Sequence, residues 1–252
     1  MSAIIYAIIN QKGGVGKSTT AEALAAGLTL KGFKCLSADL DAQGNMTYTV
    51  NAKTDGPTIL GVLMGEVKPL NAVQHTENFG DIIVSSKALS GADGFITTTG
   101  KEYRLKEALE GVKDTYDYII IDTPPALGIL TVNALTACSS VIIPAQAEIY
   151  SLQGIEQLSE TMKPVKKYCN PDLSIEGILL TRYSQRAILS REVAEITKQL
   201  AAKLGTKIFD TAIRENISVK EAQLSQKSLF EYAPNSNAAK DYHAFIEELL
   251  SD

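Results

Sequence analysis

An α/β fold, a doubly wound and mainly parallel sheet with helices on both faces, is predicted by three features of this 252-residue chain. Short β-branched runs recur along it with helical patterns between them. Runs such as Tyr-Ile-Ile-Ile-Asp (118–122) and Ser-Val-Ile-Ile-Pro (140–144) are apolar at consecutive positions, as strands buried on both faces must be. The first run breaks into three glycines and two lysines, then turns at once into the pattern of a helix.

The elements follow in order. Ile4–Ile9 reads as the first strand, closed by Asn10, and Lys17–Lys31 as the helix after it. Lys34–Ala38 and Asp81–Val84 are the next strands, and Gly-Ala-Asp-Gly-Phe-Ile-Thr-Thr-Thr-Gly (91–100) is the most loop-like stretch, expected as an exposed connection. The second half alternates helices at Lys101–Lys113, Val132–Ala137, Leu152–Tyr168 and Ala187–Leu204 with strands at Tyr118–Ile121, Val141–Ile143, Ile175–Leu180 and Lys207–Phe209. Helices at Val219–Gln226 and Ser236–Leu250 end the chain, the last placing Ala238, Tyr242, Phe245, Ile246 and Leu249 on one face to pack on the core. No linker, repeat or low-complexity tract interrupts this order, so residues 1–252 read as one domain.

Composition narrows the function. Hydrophobic residues make up 45% and charged residues 21%, ordinary globular values. Cys35, Cys138 and Cys169 lie far apart, without metal-site or disulfide spacing, and read as small apolar residues of a reducing cytoplasm. His75 and His243 are isolated and read as structural or exposed. No run is long enough to span a membrane, and the last helix is acidic opposite its apolar face, unlike a membrane-surface helix. A net charge of -5 excludes a uniformly basic nucleic-acid coat, yet residues 182–227 carry nine basic and five acidic side chains.

Chemistry concentrates at the first turn. Gly13-Gly14-Val15-Gly16-Lys17-Ser18 lies between a strand and a helix, where successive N–H groups wrap an anion and the helix N-terminus adds partial positive charge. Lys17 is placed to reach the β- and γ-phosphates of a nucleotide, Ser18 to ligate Mg²⁺, and Thr19 to sit near the α-phosphate. Asp39 and Asp41 stand two apart at the C-terminal end of the second strand, the edge where such sheets keep ligands. Asp122 ends a buried strand; it suits Mg²⁺ there, or the cap of a neighbouring helix.

Gln11 stands where the ordinary P-loop has glycine, and Lys12-Gly-Gly-Val-Gly-Lys17-Ser18 resembles the fingerprint of the ParA/MinD superfamily of deviant-Walker ATPases. The resemblance implies that Lys12 reaches across an ATP-bound homodimer to the partner's phosphates, the alternative being a solvated surface lysine. It further implies that Asp39 supports the Mg²⁺ shell, that Asp41 orients the attacking water, with Ala42 in place of the usual proline, and that Asp122 is the Walker B aspartate. The rigid Pro124-Pro125 loop would sense the γ-phosphate. ATP hydrolysis with Mg²⁺ is the implied reaction, slow without a partner.

"DLDAQGN", "YDYIIIDTPPALGILTVNAL", "VIIPAQAEIYSLQGI" and "EGILLTRYSQRAILSREV" resemble the ParA branch, the chromosomal-type partition ATPases, over essentially the whole chain. Members bind double-stranded DNA without sequence preference as ATP dimers and release it when a ParB-type partner stimulates hydrolysis, which implies a cytoplasmic, nucleoid-associated protein. Arg186 matches a DNA-contacting arginine of the family, and Lys220 and Lys227 are further candidates. "IRENISVKEA" departs from the family's adenine loop: Asn216 is retained, while Arg214 replaces a proline and Ser218 a position often basic. A MinD-like membrane switch and a metabolic ATP-dependent enzyme of the same fold are the alternatives. The helix-turn-helix domain that some plasmid partition ATPases carry is not expected ahead of the first strand.

Overall fold

The computed structural model describes residues 2–184 and 188–251, so Arg186 lies outside the described residues. The first half of the chain runs β1 (Ile4–Ile8), α1 (Lys17–Leu30), β2 (Cys35–Asp39), α2 (Asn45–Thr49), α3 (Ile59–Leu63), α4 (Pro69–Ala72), β3 (Val73–Thr76), β4 (Gly80–Ile83), α5 (Ala92–Phe95) and α6 (Arg104–Glu110). The second runs β5 (Tyr118–Asp122), α7 (Ile129–Ala137), β6 (Ser140–Gln146), α8 (Ile149–Tyr168), β7 (Ser174–Tyr183), α9 (Ile188–Lys203), β8 (Ile213–Arg214), α10 (Ile217–Leu224), α11 (Leu229–Tyr232) and α12 (Asn237–Ser251). The strands form one sheet in the order β3-β4-β2-β5-β1-β6-β7-β8, parallel throughout except for the β3–β4 pair.

The consecutive apolar residues of each strand serve two cores. Ile119 and Ile121 of β5 face a cluster with α3, α6, α7 and α8, and Ile120 between them faces a second cluster with α1 and α12. α12 buries Ala238, Tyr242, Phe245, Ile246 and Leu249, as its amphipathic pattern requires. It crosses α1 so closely that a Cβ at Gly27 would collide with Ile246 Cδ1. Cys35 and Cys138 are buried and Cys169 half-buried, all three as free thiols.

Three expectations from the sequence are corrected. Lys207–Phe209 is not a strand of the sheet; Ile208 makes one bridge to Ile178, and pairing resumes only at Ile213. The cause lies in α12: Phe209 packs edge-on against Phe245, and the Glu248 carboxylate accepts the N–H groups of Asp210 and Thr211, which an extended ladder would need. The 91–100 stretch is not a bare loop, because α5 lies in it, Ala92 and Ile96 enter the core, and Asp93 accepts the Ile129 N–H at 2.8 Å to begin α7. β3 appears where no strand was expected, as a short, half-exposed antiparallel edge.

Candidate nucleotide site

The site sits where the chain winds outward from β1 in both directions, with β5 on one side and β6 on the other. β1 ends at Ile8, in register with Asp122 of β5, which is in turn in register with Asp39 of β2. Parallel pairing therefore delivers the P-loop and two carboxylates to one rim of the sheet.

Gly14 and Gly16 take φ of 75° and 91°, left-handed conformations that a side chain would strain. Neighbouring strands pin the loop. Asn10 Nδ2 donates to the Pro144 carbonyl at 2.7 Å, Gln146 Nε2 to the Gly14 carbonyl at 3.1 Å, and Thr181 Oγ1 to the Val15 carbonyl at 2.8 Å. With those two loop carbonyls tied to β6 and β7, trans peptide geometry aims the Val15 and Gly16 N–H groups the other way, the donor arrangement an anion needs.

The two lysines diverge. Lys17 is buried at 6% exposure and donates to the Lys12 carbonyl at 3.3 Å; burial lowers its pKa, countered by Asp122 and Asp41. Lys12 points outward, its ammonium paired with Glu148 and 3.4 Å from Gln146 Oε1. Lys17, Ser18, Thr19, Asp41 and Pro125 line a cavity of about 480 Å³ beside the glycines, and Lys12 is not among its walls.

Asp39 is fully buried and accepts three hydrogen bonds, from Thr47 N at 2.9 Å, Thr47 Oγ1 at 2.7 Å and Asp41 N at 3.1 Å. Burial nonetheless pushes it up to about 6. Its oxygens hold the turn that presents Asp41, whose carboxylate accepts the Gln43 N–H at 3.0 Å. Asp122 is equally buried, yet neither of its oxygens makes a hydrogen bond. Burial and the nearby Asp39 raise its pKa well above the carboxylate range, and the Ser18 hydroxyl and Lys17 ammonium counter that only in part.

An unpaired, buried carboxylate facing a P-loop hydroxyl fits a hard divalent cation. Mg²⁺ is such a cation, and it keeps waters and takes phosphate oxygens as ligands beside one or two side chains. Ser18 and Asp122 would hold it, with Asp39 behind them, and it would neutralise charge on the β- and γ-phosphates.

A narrower lobe of about 130 Å³ opens from the same crevice between Val15, Thr181, Arg214, Asn216, Val219 and Tyr242. Asn216 caps α10, its Oδ1 accepting the Ser218 N–H at 2.9 Å. Arg214 grips Asp241 through Nε at 2.9 Å and Nη2 at 2.5 Å, so the residue in the proline's place is tied to α12. Lys220 lines this lobe, while Lys227 pairs with Glu231 at 2.7 Å. Sequence reasoning missed Gln223, whose Nε2 donates to Thr19 Oγ1 at 3.1 Å and Glu22 Oε2 at 2.9 Å. It also missed Glu22, a carboxyl that burial pushes up to about 8. Nothing local marks either residue; only the fold brings α10 onto α1.

Comparison with known proteins agrees with this geometry. A family profile described as "AAA domain" matches residues 3–175. The sporulation initiation inhibitor protein Soj of Bacillus subtilis is 41% identical over 98% of this chain and 98% of its own length. The chromosome partitioning protein ParA of Caulobacter vibrioides is 38% identical, covering 98% of this chain and 94% of its own. The crystal structure of cobyrinic acid a,c-diamide synthase from Mycobacterium smegmatis with bound ADP and magnesium superposes with a TM-score of 0.84 at 33% identity, over 98% of this chain and 94% of that one. No helix of the described residues is long and apolar enough to cross a membrane. With a P-loop that buries one lysine and turns the other out of its crevice, and with this similarity to Soj and ParA, the chain belongs to the ParA/Soj family of P-loop ATPases.

Proposed function

We propose that this ATPase is a dimerising switch: with Mg²⁺ and ATP bound, two copies associate face to face and hold double-stranded DNA without sequence preference. A ParB-type partner then stimulates hydrolysis and releases the DNA, so that cargo DNA is positioned or segregated. The observation that carries the reading is the divergence of the two P-loop lysines. Lys17 is committed inside its own crevice, whereas Lys12 lies outside that crevice with 28% of its side chain exposed, paired with Glu148 and not with its own phosphate site.

Within each subunit Gly13–Gly16 cradle the phosphates, Lys17 neutralises the β- and γ-oxygens, Ser18 and Asp122 hold Mg²⁺, and Asp41 orients the attacking water. Asn216 and Arg214 border the lobe that suits the adenine. The surplus of positive charge between residues 182 and 227, with Arg186 and Lys220 in it, supplies phosphate contacts to DNA. Lys227 joins them only after leaving Glu231.

DNA co-sedimentation at one fixed salt concentration, with ATP, ADP and no nucleotide, tests this reading, since ATP alone should confer binding. Equal binding in all three conditions would remove the switch. The likeness to the diamide synthase favours a second reading, an ATP-dependent ligase. ATP turnover that responds to cobyrinic acid and an amide donor, and not to DNA with a partition partner, would select it.

A further inference from the structure

The ammonium of Lys12 makes two contacts inside its own chain, the ion pair with Glu148 and the 3.4 Å hydrogen bond to Gln146 Oε1. Gln146 ends β6 and Glu148 stands in the turn from it into α8, its N–H fixed to the Gln146 carbonyl at 2.7 Å. Gln146 uses its other end on the Gly14 carbonyl, at 3.1 Å. One short turn thus grips the P-loop at the glycine that shapes it and at the lysine that leaves it.

We propose that Glu148, steadied by Gln146, parks Lys12 in cis, and that this contact must open in both subunits before each Lys12 reaches the other's phosphates. The proposal rests on the dimer reading above and adds a brake to it. Glu148 has 52% of its side chain exposed and Lys12 28%, so solvent weakens the pair. A pair of this kind biases an equilibrium by roughly two- to fivefold, and a dimer opens two of them, which makes the brake about four- to twenty-five-fold. Once Lys12 has left, the Glu148 carboxylate faces an incoming polyphosphate with no partner of its own, a repulsion of the same sign.

The experiment compares Glu148→Gln with its parent, both carrying Asp41→Ala to retain ATP, by sedimentation velocity across a concentration series with Mg²⁺ and ATP. The dimer Kd should fall about four- to twenty-five-fold in the glutamine variant, while Glu148→Asp should restore the parent value. A thermal melt of each variant establishes that it is folded. In parallel, the chain without nucleotide is pulsed with an N-hydroxysuccinimide acetate and Lys12 acetylation is read by mass spectrometry. Removing Glu148's charge should speed it roughly two- to fivefold, as the amine no longer has to leave a partner. An unchanged acetylation rate would show that no cis contact exists. An unchanged or weaker dimer would overturn the brake, the weaker one placing Glu148 across the interface instead. A parent that stays monomeric on ATP would overturn the dimer reading itself, and the acetylation ratio would still report on the contact.

Discussion

Asp122→Asn should make the chain without nucleotide more stable while removing its response to magnesium nucleotide. Asp122 is 0% exposed, both of its oxygens lack a hydrogen bond, and it sits in register with Asp39, also 0% exposed. Its folded pKa is raised, so its neutral form is the one the fold tolerates. A carboxyl shifted upward adds stability below its unfolded pKa and loses it as pH climbs through the folded value. For Asp39, which moves from 3.8 to about 6, the loss across that window is on the order of 3 kcal/mol. Asp122 loses stability in the same direction, over a window that begins at its unfolded 3.8 and extends upward. An unsatisfied buried group costs about 1–3 kcal/mol and a charged one more; asparagine stays polar and relieves only the charge, a gain of about 1–3 kcal/mol, and in a chain of this size each kcal/mol moves Tm by about 2–4 °C. Scanning calorimetry at pH 8 should therefore find the asparagine variant roughly 2–12 °C above the parent, with a smaller gap at pH 5. Adding Mg²⁺ with a non-hydrolysable ATP analogue at a hundred times its Kd should stabilise the parent by about 2.7 kcal/mol and the variant by much less. A variant that melts below the parent at pH 8, or keeps the full magnesium-dependent shift, would refute the assignment of Asp122 as an unpaired carboxylate awaiting a cation.

Lys12→Ala is expected to abolish the ATP dimer in light scattering while nucleotide still binds, because Lys12 is not part of its own crevice; an unaltered dimer would count against its role. Asp41→Ala should keep the dimer and lose turnover, measured as phosphate release, and full activity would take Asp41 out of the mechanism. Gly27→Ala should cost about 1–3 kcal/mol in chemical denaturation, since the new methyl meets Ile246 and Phe230, and Ile246→Val should recover part of that loss.

The parts legible in the sequence were those whose chemistry is local. A glycine cradle needs Gly14 and Gly16 at fixed spacing, and a strand buried on both faces needs three consecutive isoleucines before Asp122, so motif and strand predict each other. What escaped depends on contacts distant in the chain. Lys207–Phe209 has the composition of a strand, but its pairing stops after one bridge because the next N–H groups, of Asp210 and Thr211, go to Glu248, about forty residues away. Val73–Thr76 pairs although half-exposed and polar, because β4 offers it an edge rather than because its residues prefer strands. Glu148 and Gln146 meet Lys12 only because β6 lies next to β1.

The distribution of charge ties stability to the cycle. Asp39, Asp122 and Glu22 all lie buried near one another, and each is raised by burial, while Lys17, beside Asp122, is lowered by it. A fold selected for stability alone would not bury three carboxyls this close together. Their desolvation is relieved when a cation and a polyphosphate bring in the charges the cluster lacks, so ligand binding becomes the event that stabilises this rim. Gln223 carries that change outward: it joins Thr19 at the phosphate end of α1 to Glu22 one turn on, and it sits on α10, the helix that Asn216 caps and on which Lys220 stands. Any shift of Thr19 toward a bound phosphate is thus felt by α10 through one side-chain amide, a physical link between the nucleotide crevice and the segment proposed to contact DNA.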